Sequence, residues 1–112
     1  MDAGQIANHR EELRRGTVVL ACLLALREPG YGYGLLKTLE AAGIACDGNT
    51  VYPLLRRLED RGLLESEWNT EESRPRKFYR TTAAGSELAD LLLTDVVDLT
   101  RSLQSLDGGP TR

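Results

Sequence analysis

Apolar residues recur at helical spacing in the middle of the chain, between residues 49 and 64. One stripe of a helix, at positions i, i+3, i+4 and i+7, is formed by Val51, Leu54, Leu55 and Leu58. The opposite arc holds Tyr52, Pro53, Arg56, Arg57 and Asp60. This pattern predicts a short amphipathic helix that presents a tyrosine and two adjacent arginines to solvent. Such helices are common on protein surfaces, so the arginines alone do not establish a binding function.

Both ends of this helix carry end signals. We expect Asn49 or Thr50 to cap it, because a short polar side chain accepts a hydrogen bond from an orphan N–H two or three residues further on. Pro53 then falls within the first turn, where its missing N–H costs little. Gly62 is expected to end the helix as the residue after the C-cap.

Two helices are predicted before this one. The pattern from about Asn8 to Arg27 is helical, with Gly16 tolerated inside it and with Pro29 and Gly30 stopping it. Its apolar stripe consists of Leu13, Leu20, Leu23, Leu24 and Leu26. The second helix buries Leu35, Leu36 and Leu39 and is closed by Gly43. Since only residues 44–48 connect it to the helix with the arginines, the order is that of a helix-turn-helix.

A hairpin is predicted directly after the third helix. Residues 63–68 alternate as a strand, residues 69–75 form a polar loop, and residues 77–81 return as a second strand carrying Phe78 and Tyr79. In a DNA-binding domain such a hairpin is a wing. The chain is therefore expected to be mainly α with a small β-hairpin, as a winged helix-turn-helix.

The last predicted helix begins after a cap at Thr81 or Thr82 and runs to about Leu106. Its apolar surface exceeds what one face needs, because Leu93 and Val97 lie well off the main leucine stripe. This surplus favours packing on a second chain. The alternative is that the helix folds back on its own domain.

Four regions are predicted from these patterns. We expect a flexible tail at residues 1–8, a winged helix-turn-helix at 9–81, a dimerisation helix at 82–106 and a disordered end at 107–112.

Charge is distributed unevenly along the 112 residues, whose net charge is −3. The segment from Ser73 to Arg80 has four positive charges and no acid, whereas Thr82 to Asp107 has five acids and one arginine. The net charge argues mildly against nucleic-acid binding, while the basic hairpin favours it. An alternative therefore stays open, in which the basic wing docks an acidic protein partner.

Other chemistry finds little support in the sequence. No nucleophile–base pair, phosphate loop or metal-ligand cluster is evident, so we expect no enzyme activity, no cofactor and no metal site. Cys22 is expected in the core, and Cys46 has no evident resolving partner for a redox role. Nothing resembles a signal peptide, and the apolar run from Val18 to Leu26 is too short to span a bilayer. We therefore expect a cytoplasmic protein without membrane contact.

Three segments together resemble the PadR family of bacterial transcriptional regulators. They are YGYGLLKTLE in the second helix, NTVYPLLRRLEDRGLL in the third and SRPRKFYRTTAAG at the second strand. The similarity covers roughly Leu13 to Gly85 and, with a single final helix, is closest in kind to the small members of the family. It implies a homodimeric, sequence-specific DNA-binding regulator, expected to be a repressor, that dimerises through its first and last helices. It also implies that the third helix enters the major groove of a pseudo-palindromic operator while the wing touches the flanking backbone.

The resemblance matches Thr50, Tyr52 and Arg56 to the helix positions that face DNA, and Arg74, Arg76 and Lys77 to the wing. The predicted DNA-binding residues are Asn49, Thr50, Tyr52, Arg56, Arg57, Arg74, Arg76 and Lys77. Arg56 is the best candidate for a bidentate contact to guanine, and the hydroxyl of Tyr52 can donate to a phosphate. Ser73 stands where the family usually has glycine. The predicted dimer interface comprises Leu13, Leu20, Leu92, Leu93, Val96, Val97, Leu99 and Leu103.

A small-molecule effector is possible but unidentified. Some small members of the family bind flat aromatic compounds between the subunits, using a tryptophan on the last helix. The only tryptophan here is Trp68, on the first wing strand. We therefore expect no drug binding of that kind.

Overall fold

The computed structural model describes residues 1–71 and 73–108. Within these ranges the chain forms five helices and one antiparallel sheet of three strands. The elements in chain order are α1 (Ala3–Arg14), α2 (Thr17–Ala25), β1 (Gly30–Tyr31), α3 (Gly32–Ala41), α4 (Gly48–Asp60), β2 (Leu64–Asn69), β3 (Arg76–Thr81) and α5 (Ala83–Leu106). This architecture confirms the predicted mainly helical class with a winged helix-turn-helix.

The core lies where α2, α3 and α4 meet the sheet and the start of α5. The predicted stripe of α4 is confirmed, since its four apolar residues are all buried. The buried core residues are Leu20, Ala21, Cys22, Leu23, Leu26, Leu35, Leu39, Val51, Leu54, Leu55, Leu58, Leu64, Tyr79 and Ala89. Because the three helices share this core, α4 is held rigidly with its opposite side in solvent.

The start of α4 differs from the prediction. Its N-cap is Asp47, whose carboxylate accepts a hydrogen bond from the Thr50 N–H at 3.0 Å. Aspartate caps at least as well as asparagine or threonine, and the run Asp47 to Thr50 offers several candidates, so the sequence alone did not decide between them. Pro53 is consequently the sixth residue of the helix and not part of its first turn. The helix end was predicted correctly, because Gly62 has a φ of +75°.

The N-terminal region is also different from the prediction. Residues 3–8, expected to belong to a flexible tail, form the first half of α1. A capping box starts this helix, with the Gln5 N–H donating to Asp2 Oδ1 at 2.8 Å and the Asp2 N–H donating to Gln5 Oε1 at 3.0 Å. The continuous helix expected through Gly16 is instead two helices, with residues 15 and 16 between α1 and α2. Of the predicted disordered end, residues 109–112 lie outside the described residues.

β3 is the central strand of the sheet and joins the hairpin to the helical core. β2 pairs with it from Leu64 opposite Thr81 to Asn69 opposite Arg76. On its other side lies β1, a two-residue strand that the sequence pattern did not reveal. The wing of this domain consists of β2, β3 and the loop that joins them.

Three contacts fix the start of α5 against the domain. The Thr82 hydroxyl accepts from the Gly85 N–H at 3.1 Å, which confirms Thr82 as the cap, and donates to the Gly62 carbonyl at 2.7 Å. A Cβ atom at Gly85 would lie 2.1 Å from the Leu63 carbonyl oxygen, so only glycine permits this close approach. Arg27, following α2, donates to the Ser86 carbonyl at 2.9 Å and to Asp90 Oδ1 at 2.7 Å.

Candidate nucleic-acid interface

The side of α4 opposite the core forms an exposed arc. This arc consists of Asn49, Pro53, Arg56 and Asp60. Since the buried stripe anchors the helix through Val51, Leu55 and Leu58, the arc has a fixed direction. The arrangement places Arg56, a predicted base-reading residue, in the middle of a rigid exposed surface.

Tyr52 is held at the junction of the two helices of the helix-turn-helix. Its ring lies so close to two backbones that a Cβ at Gly32 would be 2.3 Å from Tyr52 Cε1, and one at Gly48 would be 2.8 Å from Tyr52 Cε2. The ring nevertheless keeps 40% of its surface exposed. The two glycines therefore make room for the ring beside the exposed arc, where its hydroxyl can donate to an anion.

Two of the arginines on the wing, Arg74 and Arg76, have different surroundings. Arg74 is exposed in the loop that leads into β3. Arg76 is also exposed, and its guanidinium carbon lies 4.0 Å from the centre of the Tyr31 ring, which is a cation–π contact. Tyr31 is in turn fixed, because its hydroxyl accepts from Asn69 Nδ2 at 2.7 Å. Ser73 adopts no positive φ, so the residue that replaces the usual glycine causes no strain of that kind.

Lys77 has a different position from the one expected of a phosphate contact. Its Nζ atom lies 3.2 Å from Glu59 Oε1 of α4 and 5.4 Å from the centre of the Tyr79 ring. The Ser66 hydroxyl of β2 also donates to Glu59. These hydrogen bonds, first that of Ser66 and then that of Lys77, lower the pKa of the Glu59 carboxyl. The structure thus places Lys77 at the joint between the wing and α4, with its amine engaged by Glu59.

The remaining predicted residues of α4 lie on the flank away from the wing. Thr50 and Arg57 face α1, and with it they line a cavity of about 880 Å³. Arg10 and Arg14 of α1 also line the cavity, as does Arg15, the residue that follows α1. The sequence prediction assigned no role to these arginines, although they lie in the helix that it expected from about residue 8 to residue 27. The signal was present as two arginines four residues apart, on one side of a helix.

The predicted interface residues divide into three groups. Leu20 is a core residue of its own chain, with 7% of its surface exposed, so little of its side chain is available to a second chain. Leu92 is half-buried and packs against the same core. The others are exposed large apolar residues, namely Leu13, Leu93, Val96, Val97, Leu99 and Leu103.

The two cysteines are poor candidates for chemistry. Cys22 is completely buried, and burial raises the pKa of its thiol to about 12. Cys46 is half-buried, and burial followed by the nearby Asp47 charge raises its thiol pKa as well. A raised pKa leaves little thiolate at neutral pH, and the thiolate is the reactive form.

Metal-binding and membrane-spanning features are absent from residues 1–71 and 73–108. Within these ranges, no group of three or more histidine, cysteine, aspartate and glutamate side chains is arranged to hold a metal ion. In the same part of the chain, none of the helices has the length and apolar character needed to cross a membrane.

Comparisons with known proteins agree on one family. The model of the transcriptional regulator PadR-like family matches residues 19–90. A crystal structure of a PadR family transcriptional regulator from Eggerthella lenta superposes with a TM-score of 0.87 at 45% identity, covering 92% of each chain. A transcriptional regulator from Clostridium thermocellum superposes with a TM-score of 0.73 at 26% identity, covering 84% of this chain and 95% of that one.

A curated relative is similar over a shorter stretch. Transcriptional regulator Rv3488 of Mycobacterium tuberculosis is 42% identical over 55 residues, which are 49% of this chain. The match spans about half the length of that relative, 51%.

Proposed function

This chain belongs to the PadR-like family of transcriptional regulators, and we propose that it represses transcription as a homodimer bound to an inverted-repeat operator. Membership in the family supports a DNA-binding regulator and not an enzyme. The repressor role, the dimer and the operator symmetry are proposed from the arrangement of α4, the wing and α5. A regulator of this kind acts on DNA in the cytoplasm.

The observation that carries the proposal is the rigid exposed arc of α4 with Arg56 at its centre. An α-helix is about 10–12 Å across and the major groove of B-DNA is about 12 Å wide, so this arc fits the groove. A guanidinium held there can donate two hydrogen bonds to O6 and N7 of guanine, which distinguishes guanine from the other bases. Asn49, on the same arc, is suited to a bidentate contact with adenine.

Cations beside the arc are suited to position the protein on the phosphate backbone. Arg74 and Arg76 on the wing are exposed and can neutralise phosphates flanking the groove. The hydroxyl of Tyr52 can donate to a phosphate nearer the helix. Residues 73–80 of the wing carry four cations and no acid, whereas residues 64–72 carry four acids, so the positive charge of the wing is confined to the second half of the hairpin.

The dimer is supported by the second half of α5. Beyond the segment anchored by Arg27, Leu99, Leu103 and Leu106 have 60% or more of their surface exposed. Exposed leucines on one helical stripe indicate a protein–protein contact, and a second copy of the chain offers an identical stripe. A two-fold dimer presents two copies of α4, which requires an inverted repeat in the DNA. Repression then requires only that the bound dimer covers promoter DNA, whereas activation would need a further surface for the polymerase.

Selection of duplexes from a random DNA library tests this proposal directly. We expect an inverted repeat to be enriched and to bind at least about 10³-fold more tightly than a scrambled duplex of the same length. Sedimentation of the free protein and of its complex should give a dimer in both cases. A reporter gene placed behind the selected sequence should be expressed less when the protein is present. Equal binding to both duplexes, or binding as a monomer, would contradict the proposal.

A further inference from the structure

We propose that α1 supplies a second phosphate-binding surface, on the flank of α4 opposite the wing. This inference rests on the proposed DNA-binding function and names an additional part of the same interface. The surface consists of Arg10 and Arg14 on α1 together with Arg57 on α4, and its ligand is the phosphodiester backbone of duplex DNA.

The positions of α1 and the wing follow from the geometry of α4. Thr50 and Arg57 are seven residues apart and therefore lie on the same flank, which faces the cavity beside α1. Tyr52 and Glu59 are also seven residues apart and lie on the other flank. Because Glu59 pairs with Lys77 of the wing, the wing occupies that second flank. The exposed arc of α4 thus runs between α1 on one side and the wing on the other.

Charge makes the α1 side suitable for an anion. Four arginines line the cavity, from residues 10, 14, 15 and 57, against the two acids Glu11 and Asp47. The carboxylate of Asp47 is already engaged in capping α4. Arg15 pairs with Glu12 at 3.1 Å, which leaves the other three arginines as the candidates for an external ligand. Among the described residues, no acid lies within ion-pair distance of Arg10, Arg14 or Arg57.

The shape of duplex DNA explains why a second basic surface belongs on this flank. A helix about as wide as the major groove has a phosphate backbone along each of its two flanks. The wing can contact only one of these two phosphate backbones. The small side chains of Ala3 and Ala7 line the cavity together with the arginines, so they leave the space between α1 and α4 open to a backbone. The arginine side chains are long enough to reach phosphates from a helix that does not itself enter the groove.

The test compares two double variants with a control. Arg10→Ala/Arg14→Ala removes two cations, and Arg10→Lys/Arg14→Lys keeps both charges. Arg101→Ala is the matched control, because this exposed arginine pairs with Asp98 near the far end of α5. Binding isotherms are measured at several salt concentrations on the selected operator and on a scrambled duplex of the same length. Sedimentation of each variant shows whether its oligomeric state has changed.

We expect the alanine pair to bind both duplexes more weakly, by a similar factor. Its plot of log affinity against log salt should be shallower by up to about two units, since each phosphate contact contributes about 0.9. The lysine pair should keep most of the slope, and Arg101→Ala should match the parent protein.

Two results would overturn the inference. In the first, the alanine pair binds with the parent's slope and affinity. In the second, it binds more weakly but the lysine pair does not restore binding, which means that the arginines act through folding or assembly. The proposed function has a separate readout, because Arg56→Ala should still reduce the preference for the operator when the α1 surface plays no part. If neither Arg56→Ala nor the alanine pair changes binding, the proposed function itself is wrong.

Discussion

The Nζ atom of Lys77 lies 3.2 Å from the Oε1 atom of Glu59, so an ion pair joins the central strand of the sheet to α4. Ser66, on the neighbouring strand, donates to the same carboxylate. Both charged side chains are about 70% shielded from solvent, with 30% of each exposed. One carboxylate therefore binds both strands of the wing to the helix with the exposed arc, and it sets the angle between the wing and α4.

Replacing Glu59 should loosen the wing. Glu59→Gln keeps the shape but removes the charge, and we expect it to lower the free energy of unfolding by about 1 kcal/mol at neutral pH. Urea unfolding measures this change, and hydrogen exchange of the wing amides should show where it acts. Glu65→Gln is the control, because the ion pair between Glu65 Oε1 and Arg80 Nη2, at 2.5 Å, joins two exposed side chains on neighbouring strands. Its loss should change the free energy of unfolding much less.

The stability that the Glu59 carboxylate contributes should depend on pH. The pKa of the Glu59 carboxyl is lowered in the folded state, so its stabilising contribution is present above the unfolded pKa of about 4.3. It is lost as the pH falls through the folded pKa. The difference in unfolding free energy between the parent protein and Glu59→Gln should therefore be largest near pH 7 and shrink below about pH 4. A difference that stays constant down to about pH 3 would mean that the carboxylate charge is not what holds the wing.

Gly85 should be the glycine least able to accept a side chain. Gly85→Ala would place a Cβ 2.1 Å from the Leu63 carbonyl oxygen, where neither backbone can yield easily, and we expect a loss on the order of 3 kcal/mol. Gly34→Ala is a matched control on α3, because a Cβ there meets nothing within 4 Å. It should raise the stability by about 1 kcal/mol, as alanine favours a helix. Thermal or urea unfolding of both variants measures these changes, and equal stabilities would contradict the close packing of α5 on Leu63.

Patterns local in sequence predicted the parts of the fold that depend on local forces. The stripe of α4, the left-handed glycines 43 and 62, the cap at Thr82 and the β2–β3 hairpin are each specified within a few residues. β1 was missed because two residues are too few to show an alternating pattern, and its pairing is determined by a partner 47 to 49 residues away. The first half of α1 was missed because α1 buries no side chain, so no apolar stripe indicated where the helix begins.

The candidate site was predictable only in its residue types. The arginines of α4 and of the wing were visible in the sequence, but which of them are already engaged depends on contacts between distant segments. Lys77 illustrates this, because its partner Glu59 lies 18 residues earlier. Leu20 illustrates the same point for the dimer, since helical periodicity shows that it is on an apolar side but not whether its own chain or a second chain covers it.

The exposed leucines of α5 lead to a prediction about assembly. Leu99→Asp/Leu103→Asp should produce a folded monomer, because these side chains are 61% and 60% exposed in the single chain and would bury two charges only in a dimer. Sedimentation and circular dichroism together measure mass and folding. Ser105→Asp is the control, since it adds a charge to an exposed position of the same helix on the side away from these leucines. If the leucine variant is still a folded dimer, the interface must lie on another surface, and the exposed Leu13 of α1 is the next candidate.

Arg56 and Arg74 should differ in what they contribute to DNA binding. Arg56 projects from a helix anchored by Leu55 and Leu58, so its guanidinium can be aimed at a base edge. Arg56→Ala should therefore cost about 1–3 kcal/mol on the operator and much less on a scrambled duplex. Arg74 projects from a polar loop, where a long flexible side chain reaches phosphates but not a fixed base edge. Arg74→Ala should weaken binding to both duplexes alike and reduce the salt slope by about one unit.

Binding isotherms on both duplexes at several salt concentrations separate these two roles. An equal loss on both duplexes for Arg56→Ala would make Arg56 a phosphate contact, and base reading would then pass to Asn49 on the same arc. Lys77→Ala provides an internal comparison, since the Lys77 amine is engaged with Glu59. This variant should lower the free energy of unfolding but should leave the salt slope of DNA binding nearly unchanged. If Arg56→Ala and Arg74→Ala both leave DNA affinity unchanged, the surface between the wing and α4 is not a DNA interface. The alternative of a basic wing that docks an acidic protein partner would then account for the same exposed arginines.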